Sequence, residues 1–184
     1  MWYVVGLGNP GEEYVSTRHN TGRIMLEAFR IYLENAKGKL KKEKITLLAP
    51  DTFMNNSGKA LKSLITNVKK AEKLIVIQDD FNFPVGKFRI SFNRSSGGHN
   101  GVESVIKSIK TEAFNRVRVG ISSETPAGKL KSPHGSVEVE KLILGEFKKT
   151  ELDTLKKLSK KVALAIETII LEGREKAMTE FNGN

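Results

Sequence analysis

Short apolar runs alternate along the chain with longer segments in which apolar residues recur at helical spacing. Short runs that are continuously apolar, or that alternate apolar and polar residues, predict strands buried on one or both faces. Apolar residues three and four positions apart predict helices that bury one face. The predicted strands cover 2–5, 44–48, 74–78, 87–92 and 116–121, and the predicted helices cover 20–35, 56–68, 102–109 and 150–178.

The order of these elements predicts the fold class. Strands that alternate with helices favour parallel pairing, because each helix returns the chain to the same end of the sheet. We therefore expect an α/β protein with a single domain over residues 1–184. Its sheet should be twisted, mixed and mostly parallel, with helices on both faces.

One long loop is predicted, over residues 124–136, where Pro126, Gly128, Pro133 and Gly135 interrupt any regular pattern. Such a loop is either a solvated excursion or a mobile lid over a site. The sequence leaves both interpretations open.

The composition excludes several classes of protein. Hydrophobic residues make up 39% and charged residues 28% of the 184 residues, as in an ordinary globular chain that buries a full core. The chain has no cysteine, which excludes disulfides, thiolate zinc sites and a cysteine nucleophile. No apolar run is long enough to cross a bilayer, and residues 1–5 lack the features of a secretory signal. We therefore expect no membrane association and a cytoplasmic protein.

The charge balance favours a polyanionic partner. There are 31 Lys and Arg residues against 21 Asp and Glu residues, which gives a net charge of +10. Neutralising phosphates with basic side chains releases counterions and favours binding to nucleic acid. A lysine-rich surface that only improves solubility is the simpler alternative.

A glycine-rich motif follows the first predicted strand. Gly6, Gly8 and Gly11 match the pattern G-x-G-x-x-G, in which a helix begins at the glycines and faces a dinucleotide pyrophosphate. Here Pro10 and Gly11 predict a turn instead, because proline fixes φ and glycine accepts a positive φ. The motif therefore argues against a nucleotide site, and with the nearby His19 it indicates an active site of another kind.

Three more polar segments follow predicted strands or precede predicted helices, at positions that border the ligand crevice of α/β sheets. They are residues 51–58, 78–80 and 95–101. Each also has a simpler explanation as a helix cap, a capped turn or a flexible loop. Capping explains less well why two large apolar residues, Phe53 and Met54, stand directly before the cap in the first segment.

Together these motifs resemble those of the bacterial-type peptidyl-tRNA hydrolases. The blocks occur in the family's order with nearly its spacing, and they extend across most of the chain. They are Gly6-Leu7-Gly8-Asn9-Pro10-Gly11, Thr17-Arg18-His19-Asn20, Thr52-Phe53-Met54-Asn55, Asp79-Asp80, Gly97-Gly98-His99-Asn100-Gly101, Arg116-Val117-Arg118-Val119-Gly120 and Leu144-Gly145-Glu146-Phe147.

The resemblance implies an activity and a set of catalytic residues. The family cleaves the ester bond between a peptide and the 3′-terminal ribose of tRNA, and its members are monomeric α/β enzymes without a metal or other cofactor. By position in the motifs, His19 would be the general base that activates water, and Asp79 would hold its imidazole. Asn9 and Asn55 would line the reacting carbonyl and the peptide backbone.

The resemblance also implies which residues contact the substrate, namely the peptide and the acceptor stem and 3′ end of peptidyl-tRNA. Those residues would be Tyr14, Phe53, Met54, Asn55 and Asn100. Arg118 would contribute to a basic patch for the tRNA 5′-phosphate.

The chain departs from the family pattern at three positions. Ala49 stands where the family usually has lysine, and Arg23 stands where an aromatic or apolar residue is usual. Ser91 occupies a position where a phosphate-binding lysine is often found. The catalytic set is intact, but the cations that hold the 5′-phosphate are left open. Nearby candidates are Lys87, Arg89 and Arg94.

The residue types suit ester hydrolysis by water. Histidine supplies a base near neutral pH, and a carboxylate partner fixes its tautomer and stabilises the imidazolium. Without a G-x-S-x-G motif or a cysteine, direct attack by water is favoured over an acyl-enzyme. The three histidines, His19, His99 and His134, show no metal-ligand spacing along the sequence.

Two other functions compete with the hydrolase. One is a non-catalytic RNA-binding relative with the same fold, since fold does not fix function. The intact set of His19, Asp79, Asn9 and Asn55 argues against it, because binding alone does not require that set. The other is a nucleotide-dependent enzyme, which the Asn9-Pro10-Gly11 turn disfavours.

Overall fold

A computed structural model describes residues 1–36 and 39–183. Within this part of the chain, five strands form one sheet in the order β2-β1-β3-β5-β4, with β4 antiparallel to β5 and the other pairs parallel. The strands are β1 (Trp2–Gly6), β2 (Ile45–Leu48), β3 (Leu74–Pro84), β4 (Phe88–Phe92) and β5 (Asn115–Ser122). The predicted mixed, mostly parallel sheet is confirmed.

Helices cover both faces of this sheet, as predicted. Helices α1 and α5 pack on one face, with α6 beside them, whereas α3 and a 3-10 segment, Met54–Leu61, pack on the other. None of the helices in the described residues is long and apolar enough to span a membrane. The helices are α1 (Thr21–Asn35), α2 (Val68–Ala71), α3 (Asn100–Ile109), α4 (Gly135–Leu144), α5 (Lys149–Glu172) and α6 (Arg174–Phe181).

Side-chain alternation along the strands separates two apolar cores. On β3, Ile75 and Ile77 face the core under α1 and α5, whereas Leu74 and Val76 face the core under α3. The same alternation on β5 places Val117 and Val119 in the first core. The intervening residues of β5, Arg116 and Arg118, therefore point toward the other face of the sheet.

The predicted helix over 56–68 is wrong. Residues Met54–Leu61 form a 3-10 helix, and α2 begins only at Val68. Gly58 lies against α3 so closely that a Cβ there would be 2.0 Å from the Ser104 carbonyl oxygen. This contact and the low helix propensity of the Asn, Ser and Gly residues favour the tighter segment over an α-helix.

The C-terminal third of the chain also differs from the prediction in two ways. The single helix predicted over 150–178 is two helices, because the chain turns at Gly173, whose φ of +94° is unfavourable for other residues. The predicted loop ends earlier than expected, since α4 begins at Gly135 and was missed. Before α4, Glu124 and Leu130 form an isolated bridge within the loop.

The segment after β1 is a turn and not the start of a helix. Gly11 has a φ of +112°, and α1 begins ten residues later. The first turn of α1 then approaches the ends of β1 and β3, where a Cβ on Gly22 would lie 2.4 Å from the Ile77 carbonyl oxygen. Only a three-residue 3-10 turn, Glu12–Tyr14, follows the glycines directly. This arrangement supports the argument against a dinucleotide site, which needs the N-terminus of an α-helix at the glycines.

Candidate active site

His19 lies at the carboxyl end of β1 and meets a carboxylate from the neighbouring strand. It belongs to a short 3-10 turn, Arg18–Asn20, and its Nδ1 lies 3.1 and 3.0 Å from Oδ1 and Oδ2 of Asp79 on β3. Both side chains are buried. The carboxyl ends of parallel strands meet at one edge of a sheet, so the fold brings together two residues 60 positions apart.

A second histidine, His99, binds the same carboxylate. It caps α3, and its Nδ1 accepts hydrogen bonds from the backbone N–H groups of Gly101 at 3.1 Å and Val102 at 3.3 Å. A neutral imidazole that accepts at one nitrogen carries its proton on the other. His99 therefore donates its Nε2–H to Asp79 Oδ1, at 2.9 Å.

The Asp79 carboxylate is ionised in this arrangement. Burial alone would raise the pKa of Asp79, but attraction to His19 and His99 and their hydrogen bonds outweigh burial and hold it well below its usual range. An ionised carboxylate only accepts hydrogen bonds, so His19 donates its Nδ1–H. The lone pair of His19 is then on Nε2, which has no hydrogen-bond partner among the described residues and is the nitrogen available to accept a proton.

Asn9 is held in place by three hydrogen bonds, and its amide N–H groups have no partner among the described residues. Its Oδ1 accepts from the Met54 backbone N–H at 2.9 Å, and its backbone exchanges hydrogen bonds with the Asn20 side chain at 2.7 and 2.9 Å. Because Oδ1 is engaged, the Nδ2 group points away from Met54. The geometry therefore leaves this amide free to donate to an oxygen of a bound substrate.

The segment Phe53–Asn55 presents two side chains and buries the third. Phe53 is 57% exposed, and its ring lies edge-on to that of Tyr14, with centroids 6.3 Å apart. Asn55 is also exposed. Met54 differs from the expected substrate contact, because only 5% of it is exposed and its side chain packs in the core beside Gly101.

A cavity of about 550 Å³ opens beside the His19–Asp79 pair. Of the residues predicted for the site, His19, Asp79, Asn100 and Arg118 line it. The other predicted residues lie outside its lining within the described part of the chain: Asn9, Tyr14, Phe53, Met54 and Asn55. The structure thus separates a charged cavity from an amide and aromatic region around the 3-10 segment.

The cavity has a face that carries arginines. Arg116 and Arg118 alternate with the buried valines of β5, and their cross-strand neighbours on β4 are Ser91 and Arg89. Arg94, in the loop after β4, also lines the cavity. Arg89 and Arg94, two of the three candidates near the missing lysine, therefore reach the cavity, whereas Lys87 does not appear in its lining.

The positive charges of the arginine face are only partly neutralised by acidic side chains. Arg118 donates from Nε to Asp80 Oδ2 at 2.7 Å, but Arg116, only 4% exposed, has no salt bridge among the described residues. Burial, with repulsion from Arg118 and Arg94, lowers the pKa of Arg116 to about 10, and attraction to Asp80 opposes this only in part. Arg116 is still charged at neutral pH, so this face favours an anion.

Two residues of this site were missed as functional candidates in the sequence. His99 belongs to a family motif, but the sequence did not predict its contact with Asp79, because that contact depends on how α3 packs against β3. Arg116 could have been predicted from the sequence, because it stands two positions before Arg118 on the same strand and the two side chains therefore share a face.

The histidine and aspartate groups are close enough together to be tested as a metal site. Ligand atoms of His19, Asp79 and His99 lie within 4.8 Å of one another, a proximity that the sequence spacing did not indicate. However, His99 Nδ1 already accepts two backbone hydrogen bonds, so a metal at Nε2 would have to displace the proton that Asp79 binds. The donor set suits a hydrogen-bonded cluster better than a cation.

These features define an α/β enzyme with a histidine–aspartate pair at the edge of its sheet and an adjoining cationic cavity. Comparison with known proteins identifies the family. The family model described as peptidyl-tRNA hydrolase matches residues 3–184. This chain belongs to the peptidyl-tRNA hydrolase family, as its motifs indicated.

Individual relatives agree with the family match. The peptidyl-tRNA hydrolase of Thermoanaerobacter sp. (strain X514) is 40% identical over 195 residues and that of Alkaliphilus metalliredigens (strain QYMF) is 35% identical over 195 residues, with all of both chains covered in each case. A crystal structure of the peptidyl-tRNA hydrolase from Acinetobacter baumannii has a TM-score of 0.81 at 24% identity. That match covers 99% of this chain and 94% of the other, and it shows the shared fold.

Proposed function

We propose that this protein hydrolyses peptidyl-tRNA with His19 as the general base, releasing free tRNA and peptide after aborted translation. Family membership supports the reaction. The observation that carries the assignment of the base is the hydrogen bonding of His19, which engages Nδ1 with the buried Asp79 carboxylate and leaves Nε2 available. A base of this kind contributes on the order of 10²- to 10⁴-fold to a rate.

In the proposed reaction, a water molecule attacks the ester carbonyl carbon while His19 Nε2 takes its proton. The negative charge moves to the carbonyl oxygen of a tetrahedral intermediate. When that intermediate collapses, the bond to the ribose 3′-oxygen breaks, and the imidazolium returns the proton to this oxygen. Asp79 stabilises the imidazolium and holds its tautomer, and His99 holds Asp79.

The amide groups and aromatic rings are assigned to the peptide and the 3′ end of the tRNA. The free Nδ2 group of Asn9 is suited to donate to the carbonyl oxygen as charge develops there. Asn55 and Asn100 are exposed and are assigned to the peptide backbone or the acceptor end. Tyr14 and Phe53 form the aromatic surface on which a base or an apolar side chain packs.

The arginine face is assigned to phosphates of the tRNA acceptor stem, including the 5′-phosphate. Because Asp80 partly neutralises Arg118, Arg116 is the better candidate to bind a phosphate. Arg89 and Arg94 add positive charge to the same cavity. Arginine binds phosphate oxygens with a planar fork of donors. In this proposal, Arg116, Arg89 and Arg94 take the place of the lysine that is absent at Ser91.

We further propose that residues 1–184 act as one domain and as a monomer in the cytoplasm, without a metal or other cofactor. One sheet shared by both apolar cores supports the single domain. The hydrogen-bonded state of His99 supports catalysis without a metal.

The test is release of N-blocked amino acid from N-acetyl-aminoacyl-tRNA in the presence of a chelator, with wild-type protein and His19→Ala. We expect chelator-resistant release by the wild type, a loss on the order of 10³-fold in the variant, and tRNA affinity within a few-fold of wild type. Equal turnover by the two proteins would contradict the base assignment. Binding of tRNA without any release by the wild type would indicate a non-catalytic RNA-binding protein.

A further inference from the structure

The turn that carries His19 is anchored by three consecutive buried side chains. Arg18, His19 and Asn20 each bond to a different part of the fold: the start of α5, strand β3 and the loop after β1, respectively. A 3-10 turn of three residues has little stability of its own, because the first turn of any helix is costly to form. The position of the turn therefore depends on these anchors.

The Arg18 anchor is a partly buried ion pair in which one guanidinium makes several contacts at once. Its Nη2 lies 3.1 and 2.9 Å from Oε1 and Oε2 of Glu151, and its Nη1 donates to the Ile121 carbonyl oxygen at 3.3 Å. The guanidinium carbon lies 4.7 Å from the centre of the Phe147 ring. A planar guanidinium makes the ion pair, the bond to Ile121 and the stacking contact at once, whereas a lysine ammonium lacks the planar group for stacking and the fixed fork of donors.

Glu151 is held just as firmly at the other end. Its Oε2 also accepts the backbone N–H of Lys148 at 2.8 Å, in the first turn of α5. Burial would raise the pKa of Glu151, but the hydrogen bonds from Arg18 and Lys148 and the nearby positive charge lower it below its usual value. Both members of the pair are therefore charged at neutral pH.

The backbone before His19 is paired with the same region. The Arg18 N–H donates to the Gly145 carbonyl oxygen at 3.0 Å, and the Phe147 N–H donates to the Ser16 carbonyl oxygen at 3.1 Å. The chain leading into His19 is thus bound to the chain leading into α5. A change at the start of α5 is transmitted directly to the turn that carries the imidazole.

We propose that the Arg18–Glu151 pair is a positioning device that fixes the His19 imidazole against Asp79 and against the scissile ester. The proposal rests on the proposed function of His19 and adds a residue that touches no reacting atom. A displacement of about 1 Å from the productive geometry lowers a rate on the order of 100-fold. The pair should therefore affect the chemical step more than substrate binding.

The test uses Arg18→Lys, which keeps the charge but loses the fork and the stacking, and Glu151→Gln, which keeps the shape but loses the charge. Arg30→Lys is the matched control, since Arg30 forms ion pairs with Glu27 and Glu34 on the exposed surface of α1. We expect kcat to fall about tenfold or more in Arg18→Lys, with KM within about twofold of wild type. Glu151→Gln should show a smaller fall, and Arg30→Lys no change.

A second readout is independent of turnover. The proton that His19 shares with Asp79 should give a low-field NMR resonance that His19→Ala removes, and this resonance should shift or broaden in Arg18→Lys but not in Arg30→Lys. A folded Arg18→Lys with wild-type kcat and an unchanged resonance would overturn the proposal. If circular dichroism shows that Arg18→Lys does not fold, the same readouts on Glu151→Gln decide. If the resonance shifts in Arg18→Lys but the wild-type protein does not cleave peptidyl-tRNA, the positioning role is supported and the proposed function is rejected.

Discussion

The two sides of the cavity differ in how their charges are balanced. At the edge of the sheet, the Asp79 carboxylate accepts hydrogen bonds from both His19 and His99, and all three groups are buried or nearly so. On the arginine face, Asp80 forms a salt bridge with Arg118, whereas Arg116 forms none among the described residues and is attracted by Asp80 and Glu112 only at longer range. The hydrogen bonds of Asp79 are made without substrate, whereas the arginine face is proposed to bind an anion of the substrate.

This difference indicates two ways in which a protein prepares for one substrate. A catalytic base must be in a fixed place before substrate arrives, so its neighbours are satisfied and rigid. A phosphate-binding face gains by leaving charge unneutralised, because the substrate then supplies the counter-charge. We therefore expect substitutions on the two sides to change different kinetic parameters.

After His19→Ala, the largest effect in this comparison is expected for Asp79→Asn. The amide has one oxygen for the two N–H donors of His19 and His99, so its NH2 group faces one of them and disfavours the productive tautomer of His19. The imidazolium also loses its counter-charge, and we expect kcat to fall on the order of 100-fold, less than in His19→Ala. Steady-state kinetics of the folded variant measure this effect. A wild-type kcat in Asp79→Asn would contradict the catalytic pairing of His19 with Asp79.

A different parameter should change in Arg116→Met, which keeps the apolar stem and removes the charge. We expect KM for peptidyl-tRNA to rise about tenfold and the slope of log affinity against log salt to fall by about one, with kcat at saturation unchanged. Titrations of tRNA at several salt concentrations measure this. Arg30→Met, the same change on exposed α1, is the control and should leave both quantities as in the wild type. A drop in kcat without a change in salt dependence would place Arg116 with the catalytic residues.

The smallest expected effect is on acid stability. The pKa of Asp79 is lower in the folded protein than in the unfolded chain, where it is about 4. The unfolded chain therefore binds the proton first as the pH falls. The stabilisation is complete above pH 4 and is lost as the pH falls further toward the folded-state pKa.

Urea unfolding between pH 5 and pH 3 tests this, with Asp79→Asn as the control that lacks the carboxyl group. The free energy of unfolding of the wild type should fall on the order of 1–2 kcal/mol more than that of Asp79→Asn. Parallel curves for the two proteins would show that the carboxyl group is not ionised in the fold as described.

Much of the fold could be predicted because its signals are local. The apolar run at 74–78 and the alternation at 116–121 identify strands, and their order favours parallel pairing. The helix at 56–68 could not be corrected from the sequence, since the close approach of Gly58 to Ser104 on α3 is a tertiary contact. The break at Gly173 had a local signal in the glycine itself, but apolar periodicity on both sides favoured a continuous helix.

The site was predicted as far as the family motifs reach. They identified His19 and Asp79, which the fold brings into contact. They did not predict that His99 binds the same carboxylate, nor that Met54 is buried, because both depend on how α3 packs. The sequence shows a net charge of +10. It does not show that several arginines lie together around Arg116, because that depends on the pairing of β4 with β5.

The central claim is that the His19–Asp79 pair carries the chemistry, whereas the arginine face of the adjoining cavity binds tRNA phosphates. The most direct measurement is kcat and KM for N-acetyl-aminoacyl-tRNA with His19→Ala and Arg116→Met, side by side, together with the tRNA affinity of each variant. The account predicts that His19→Ala lowers kcat with tRNA affinity within a few-fold of wild type, and that Arg116→Met weakens binding with kcat unchanged. The same parameter changing in both variants would contradict it.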